Sequence, residues 1–223
     1  MIKTKTDYLF YLEADRIAKS KPKKLTFEQR FKEVFFPDLV FEFQKTLRKI
    51  EYIRNCKQDP LGKIQLFFVS IKFKRLSYKL GFSIPPNVFG PGLSIAHYGT
   101  IIINGASRIG ANCRLHACVN IGTEAGYGGK APIIGDNCYI GPGAKIYGAI
   151  KLGNDVAIGA NAVINKSFSE NNISLGGIPA KIIANSGSNE IIIPATTIIN
   201  KGMNQDNLHG LPAKEIVKII GHH

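Results

Sequence analysis

Residues 134–164 read IGDNCYIGPGAKIYGAIKLGNDVAIGANAVI, and this stretch decides the fold. An aliphatic residue stands at every sixth position, and glycine often follows it directly. A period of six fits neither an α-helix, at about 3.6 residues per turn, nor a plain strand, at about 2. It predicts a short strand and a tight turn, repeated as a solenoid whose aliphatic residues point inward and are buried by stacking on the next coil. The complete register comprises Ile103, Ile109, Leu115, Ile121, Ile134, Ile140, Ile146, Leu152, Ile158 and Ile164.

The register is interrupted once, because thirteen residues instead of six separate Ile121 from Ile134. Residues 123–132 are therefore expected to form a loop that leaves one corner of the solenoid. Loops on a rigid scaffold commonly carry function. The small positions of the repeat include Cys113 and Cys138, which we expect to point inward, with Cys118 as a packed neighbour.

The first eighty residues follow different rules from the rest. They hold 19 of the 29 Lys and Arg, 9 of the 16 Asp and Glu, and ten of the thirteen Phe, but one of the 23 Gly. Apolar spacing predicts helices over residues 7–18, about 27–55 with an interruption at Pro37, and 61–80. We therefore divide the chain into an α-helical basic domain (1–80), a β-solenoid (81–185) and a C-terminal tail (186–223).

The composition excludes several classes of protein. Hydrophobic content of 44% with 20% charged residues excludes a disordered or collagen-like chain. No apolar run approaches about 18 residues and the N-terminus lacks a signal-peptide pattern, so we expect a cytoplasmic protein with free thiols. The lysines of residues 61–80 fit a solvated helical cap, or peripheral contact with a membrane or a lipid-linked substrate. No nucleic-acid-binding motif accompanies the charge, so we expect no nucleic-acid partner.

The six-residue repeat resembles that of the hexapeptide-repeat acyltransferases. The resemblance implies a mainly β fold, a left-handed parallel β-helix of triangular section, preceded here by the α-helical N-terminal domain. Within that group the run from Leu93 to Ile103, LSIAHYGTIII, looks like the serine acetyltransferase family. His97 to Gly122 follows that family's pattern without a gap, and residues 177–181, GIPAK, match its closing signature.

The resemblance implies an acetyl-CoA-dependent O-acetyltransferase with His97 as the base that takes the acceptor's proton. Strict periodicity would point His97 inward, but the prolines and glycines of the first coil argue against strict phase there. His116 lies 19 residues on, close to one coil, which predicts an assisting or substrate-contacting histidine beside His97. The terminal His222 and His223 resemble the end of a purification tag and are not candidate site residues.

Two other kinds of protein share this fold class. A metal enzyme would need three histidine ligands, and two credible histidines exist here, so no metal site is expected. A non-catalytic binding scaffold is the other alternative.

The departures from the family concern the acceptor. In the serine enzymes an aspartate orients the histidine, and Ser83 is its nearest match here; the aspartate before the histidine is Ala96. The family's Arg-His pair after the corner loop becomes Lys130-Ala131. We therefore expect a sugar hydroxyl of capsule or lipopolysaccharide synthesis, with serine O-acetylation in cysteine biosynthesis as the alternative. The candidate acceptor-binding residues are Ser83, Tyr98, Tyr127 and Lys130.

The resemblance also implies how CoA is held. Its pantetheine arm would lie between neighbouring subunits, which implies a homotrimer or a trimer-based oligomer. Small residues allow close approach to the arm, and two lysines meet its phosphates. The residues carried over are Gly141, Gly159, Ala160, Lys166, Gly177, Pro179 and Lys181.

The tail partly repeats the end of the solenoid. The motifs INK and GIPAKI at residues 164–166 and 177–182 return as INK at 199–201 and GLPAKEI at 210–216. This duplication predicts one more strand with a closing loop, which would cap the open end of the solenoid.

Overall fold

The computed structural model describes residues 1–126 and 129–221. The chain begins with α1 (Lys5–Ala18), α2 (Phe27–Phe35), α3 (Leu39–Cys56) and α4 (Pro60–Leu80). Capping boxes start α1 and α2, and Gly81 ends α4 in the left-handed conformation with φ 76°. The helices predicted from apolar spacing are confirmed, and Pro37 falls between α2 and α3.

Short strands follow, and most of them bury one side chain in the core beside a neighbour that is partly or fully exposed. Within the described residues they are β1 (Phe82–Ser83), β2 (Ser94–Ile95), β3 (Ile101–Ile103), β4 (Arg108–Ile109), β5 (Arg114–Leu115), β6 (Asn120–Gly122), β7 (Ile133–Ile134), β8 (Tyr139–Ile140), β9 (Lys145–Tyr147), β10 (Lys151–Leu152), β11 (Ala157–Ile158), β12 (Val163–Ile164), β13 (Ser174–Gly176) and β14 (Lys181–Ala184).

The strands form the three faces of a parallel β-helix. The first face is β1-β3-β6-β9-β12, the second is β4-β7-β10, and the third is β2-β5-β8-β11-β13, to which β14 adds an antiparallel edge. Each strand pairs with its equivalent one coil further on, as Ile140 pairs with Ile158. We call one such coil a rung.

The core of the β-helix consists of the residues that the repeat places inward. All ten aliphatic residues of the register are buried, and so are Cys113 and Cys138. Cys118 was expected to pack beside them but is exposed, because it occupies a turn with φ 62°. All four cysteines lie in the described residues and are free thiols.

A buried ion cluster attaches the helices to the first rung. Arg48 on α3 is fully buried and pairs with Asp15 at 2.8 Å and with Glu51 at 3.0 Å. Its guanidinium also donates to the carbonyls of Phe89 and Gly90. Because charges so deeply buried need several partners, this cluster fixes the irregular segment that leads into β2.

The C-terminal tail is helical, so the additional strand predicted from the duplication is wrong. After β14 it contains α5 (Ala195–Asn200), a 3-10 turn (Gln205–Asn207) and α6 (Ala213–Gly221). Ile216 and Ile220 stand four residues apart and are buried in a cluster that includes Ile17 of α1. The first copy of the motif contains the end of β12 and the beginning of β14. The second copy lies in the helical tail, because its apolar residues have the spacing of a helix.

Between β14 and α5 the tail runs back along one corner of the β-helix. Gly187 donates to the side chain of Asn172, and Ser188 donates to the backbone carbonyl of Asp155. At the far end Thr196 and Asn112 exchange hydrogen bonds of 2.8 and 3.2 Å. We call residues 186–196 the strap, since they connect the last rung to one of the first.

Candidate active site

His97 follows β2, the outermost strand of its face. One edge of β2 pairs with β5. The other edge has no rung to bond to, so side chains of the helices take its polar groups. Lys19 donates to the carbonyl of Ile95 at 2.7 Å, and the amide of Gln44 bonds both Leu93 and Ile95. The helical region therefore sets the position of the strand that leads into His97.

The side chain of His97 is exposed, so it does not follow the inward phase of the repeat. The inward residue of its strand is Ile95, which is fully buried. Ile101 lies six residues after Ile95 and is buried, and Ile103 of the same strand β3 is buried as well. The six-residue register continues from Ile103, so it is shifted by two positions relative to Ile95. The expected irregularity of the first coil is therefore present, and its source is β3.

His116 lies one rung further along the same corner. Its ring centroid is 5.8 Å from that of His97 and 5.1 Å from that of Tyr139. Within the described residues no group bonds its buried Nε2 atom. Burial lowers the pKa of His116, and the charges of Arg114 and His97 lower it further. His116 is therefore a neutral imidazole at neutral pH, with a ring nitrogen available to a ligand.

The two histidines begin a column that runs along the corner after β2, β5, β8, β11 and β13. Ladder hydrogen bonds define it: Ala96 donates to Leu115, His116 to Ile140, Gly141 to Ile158 and Gly159 to Leu175. Ala96, His116, Gly141, Gly159 and Gly176 are consequently stacked at equivalent positions. We call this column, together with His97, the histidine–glycine corner.

Rung stacking explains the glycines of this corner. A Cβ on Gly141 would lie 2.6 Å from the carbonyl oxygen of Ile158, and one on Gly159 would lie 3.3 Å from that of Leu175. Gly177 has φ 97°, a conformation that other residues resist. Gly141 and Gly159 therefore contribute no side chain to the corner beyond His116, as an extended ligand would need, and the exposed side chain of Ile183 on β14 lies beside Gly176.

The remaining candidate CoA-binding residues lie around the last rungs. Ala160 and Pro179 are exposed, and the carbonyl of Gly177 accepts a hydrogen bond from Val163 at 3.0 Å. Lys166 is exposed, with its ammonium 5.2 Å from the ring of Phe168. Lys181 is exposed on β14. The structure thus brings Gly159, Ala160 and Gly177 to one end of the corner, and His97 and His116 to the other.

The candidate acceptor-binding residues are more dispersed. Tyr98 adjoins His97 and is 75% exposed, whereas Ser83 is exposed on β1, outside the corner. Lys130 is exposed between β6 and β7, and Tyr127 lies outside the described residues. Among the side chains that the structure describes, no carboxylate forms an ion pair or hydrogen bond with either histidine of the corner.

Sequence reasoning missed three contributors to the site. Tyr139 contacts the ring of His116, and Lys145 donates to the carbonyl of Cys118 at 2.6 Å. Both stand directly before an inward isoleucine, which marks them as outward-facing. Lys19 carries no comparable signal, since 76 residues separate it from its partner Ile95.

Several known proteins are similar to this chain. Residues 131–166 match the model for bacterial transferase hexapeptide (six repeats). The Mycobacterium tuberculosis serine acetyltransferase is 35% identical over 46% of this chain and 44% of its own length. The Helicobacter pylori serine acetyltransferase is 32% identical over 52% of this chain and 70% of its own length. The chain belongs to the serine acetyltransferase family.

The family's solved structures share the fold. A Brucella abortus serine acetyltransferase in complex with coenzyme A superposes with a TM-score of 0.64, covering 82% of this chain and 70% of that one at 24% identity. The predicted left-handed β-helix behind a helical N-terminal region is confirmed. The match to the M. tuberculosis family member spans less than half of that protein.

Proposed function

We propose that the chain transfers an acetyl group from acetyl-CoA to a hydroxyl, with His97 as general base. The observation that carries this proposal is the histidine–glycine corner, in which an exposed imidazole stands at one end of a column that lacks side chains further on. Membership of the serine acetyltransferase family supports the same reaction.

The proposed step needs no covalent enzyme intermediate. His97 accepts the hydroxyl proton as the oxygen attacks the thioester carbonyl, and backbone N–H groups stabilise the oxyanion of the tetrahedral intermediate. The C–S bond then breaks, and the imidazolium returns the proton to the departing CoA sulfur. The products are the acetyl ester and CoA with a free thiol. Exposure of His97 lets an acceptor reach it directly.

His116 is proposed to contact the acceptor or the reacting group. Its Nε2 atom is buried without a partner among the described residues, although buried polar atoms in proteins are nearly always bonded. Its lowered pKa keeps it neutral, so it can accept a hydrogen bond without adding positive charge next to His97 when that residue is protonated.

The glycine end of the corner is proposed to hold CoA. Four rung spacings, about 19 Å, separate His97 from Gly177, and the pantetheine arm would extend along the part of this corner that follows His116. Gly141, Gly159, Ala160 and Pro179 would lie beside the arm, with Lys166 and Lys181 near its phosphates. A neighbouring subunit would close the open side of this groove, so we propose a homotrimer acting in the cytoplasm, where acetyl-CoA is available.

Two acceptors are supported by different observations. The curated relatives are serine acetyltransferases, which supports L-serine, so the comparisons favour the alternative over a sugar. The site supports a sugar hydroxyl as the second candidate, since Ala96 and Lys130-Ala131 stand where the resemblance places polar contacts to serine. A buried ammonium without its carboxylate would lose several kcal/mol, on the order of 2–5.

Thiol release from acetyl-CoA by the full chain tests the proposal. L-Serine, nucleotide sugars and oligosaccharides are supplied one at a time, and the acetylated product is identified by mass spectrometry. Release with serine alone selects the first acceptor, and release with a sugar alone selects the second. Binding of CoA by calorimetry is the control, and a protein that binds CoA but acetylates neither class contradicts the proposed reaction.

A further inference from the structure

Helix α4 is apolar on two opposite sides. Leu76 and Leu80 are buried, and Phe73 packs against the core of the β-helix. The opposite side exposes apolar residues spaced three and four apart, which places them in one stripe along the helix. Its members and their exposed fractions are Ile64 55%, Phe67 62%, Phe68 64%, Ile71 37% and Tyr78 79%.

Positive charge borders this stripe on both sides. Helical spacing places Lys63 and Lys74 along one margin, and Lys72, Arg75 and Lys79 along the other. Residues 60–80 contain no Asp or Glu. Lys72 pairs with Glu42 of α3, and the five cations are exposed. We call the stripe with these cations the outer face of α4.

The outer face includes a shallow groove. Its volume is about 480 Å³, with an apolar floor and three cations at its rim. The groove is lined by Leu39, Phe68, Ile71, Lys72, Arg75, Leu76 and Lys79. Apolar floor and cationic rim together match an amphiphile with a negative head group.

So much exposed aromatic surface needs a partner. Large exposed apolar patches mark interaction sites, and the stripe on α4 is such a patch. Helix α2 also exposes aromatic residues, since none of its residues is buried and Phe27 and Phe31 are 88% and 61% exposed.

The charge of the outer face selects the partner. If two copies met through α4, the cations of one helix would lie near those of the other, and within the described residues only Lys72 among them pairs with a carboxylate, that of Glu42. A nucleic acid offers negative charge but no apolar interior for Ile64 and Ile71. An anionic bilayer supplies both, because acyl chains receive the stripe while lipid phosphates meet the lysines.

We infer that the outer face of α4 docks on the surface of a bilayer that contains anionic phospholipid, with the helix axis in the plane of the membrane. No helix within residues 1–126 and 129–221 is long and apolar enough to span a membrane. The inference concerns attachment alone and does not depend on the proposed reaction.

Docking would also place the corner near the membrane. Leu80, the last residue of α4, accepts a hydrogen bond of 3.0 Å from the amide of Gly99. Gly99 lies two residues after His97, so the end of the docked helix adjoins the corner that carries this histidine.

Co-sedimentation of the full chain with vesicles tests the inference. Vesicles of phosphatidylcholine alone are compared with vesicles that also contain phosphatidylglycerol. We expect binding to the mixed vesicles, weakened by salt, and little binding to the neutral ones. The variant Lys63→Gln/Lys74→Gln/Arg75→Gln should bind about 100-fold more weakly. Phe67→Ser/Phe68→Ser should remove binding while leaving the thermal unfolding transition in place, since both side chains are exposed.

Two control variants remove exposed cations or exposed apolar side chains that lie outside α4. Lys3→Gln/Lys5→Gln/Lys151→Gln removes three exposed cations outside α4, and Leu9→Ser/Ile191→Ser removes two exposed apolar side chains. Both controls should retain more than half of the binding. Equal losses in controls and α4 variants would overturn the inference.

Two further results would also overturn it. One is a complex with single-stranded RNA that depends on the lysines but not on Phe67 and Phe68, without vesicle binding. The other is a wild-type protein that does not bind vesicles, together with a Phe67→Ser/Phe68→Ser variant whose oligomeric mass, measured by light scattering, differs from that of the wild type.

Discussion

The two ends of the histidine–glycine corner use one backbone arrangement for different purposes. At the first end the column carries Ala96, directly before His97, and then the imidazole of His116, whereas on the rungs of β8, β11 and β13 it carries glycine. The ladder hydrogen bonds are the same at both ends, at 2.8–3.2 Å. The repeating backbone thus places one residue of each rung at the corner, and the side chain of that residue determines whether the corner can take part in chemistry or only leaves room for a ligand.

The largest effect is expected at the reactive end. His97→Ala should lower kcat for acetyl transfer by about 10²–10⁴-fold, the usual contribution of a general base. The measurement is thiol release at saturating acetyl-CoA. Because His97 is exposed, the variant should keep its unfolding temperature.

His209→Ala is the matched control, since it removes another exposed histidine, which lies in the C-terminal tail outside the corner. Its kcat should remain within about threefold of the wild type, a barrier change below about 1 kcal/mol. Normal turnover by His97→Ala would show that the corner does not act through this imidazole.

At the glycine end of the corner, adding a side chain is expected to destabilise the fold. Gly141→Ala should lower the free energy of unfolding by about 1–3 kcal/mol, because its Cβ would press on a backbone carbonyl. Gly105→Ala is the control, since its Cβ would meet Pro85 at an ordinary 3.7 Å. Urea denaturation compares the two variants, and equal stabilities would refute the packing explanation.

A smaller effect is expected where the glycine end meets the CoA phosphates. Lys181→Gln should raise KM for acetyl-CoA by about 3–10-fold and leave kcat unchanged, as expected from loss of one charge-assisted contact. Lys151→Gln on β10 removes an exposed lysine from another face and should change neither constant. If both variants behave alike, the lysine on β14 does not contact CoA.

The smallest effect concerns His116 and pH. Its pKa is lowered in the fold, so the unfolded chain binds the proton more readily and the native state loses stability as the pH falls below about 6.5. Above that pH the residue is neutral in both states and contributes nothing to the dependence. His116→Leu should remove this loss, because leucine binds no proton in either state.

Thermal unfolding of both proteins between about pH 5 and pH 8 measures this difference. Parallel curves for the wild type and His116→Leu would mean that the imidazole does not titrate as its burial requires.

Local signals predicted most of the fold. The six-residue register named ten residues that are all buried in the β-helix, and apolar spacing with the break at Pro37 located the helices. The phase shift at β3 stayed hidden because residues 101–103 are all isoleucine, so no polar residue marks the outward position. The helical tail was mistaken for a strand because its motif repeats that of β12 and β14, while its apolar spacing favours a helix.

The site was less accessible from sequence. Two histidines one coil apart predicted a pair, and their rings are 5.8 Å apart. The contacts that position them come from distant segments, such as Lys19 and Gln44, which bond β2 from α1 and α3. Such contacts depend on how the helices pack against the β-helix, and they produce no periodic pattern in the sequence.

The strap changes how the array can come apart. A linear solenoid can lose rungs one after another from an open end, since each rung touches only its neighbours. Here Thr196 is bonded to Asn112 while Gly187 is bonded to Asn172, so the last rung is connected to an early one. Because the strap contacts both the last rung and an early rung, the rungs cannot separate one at a time from the C-terminal end. We expect the β-helix to unfold in a single cooperative step.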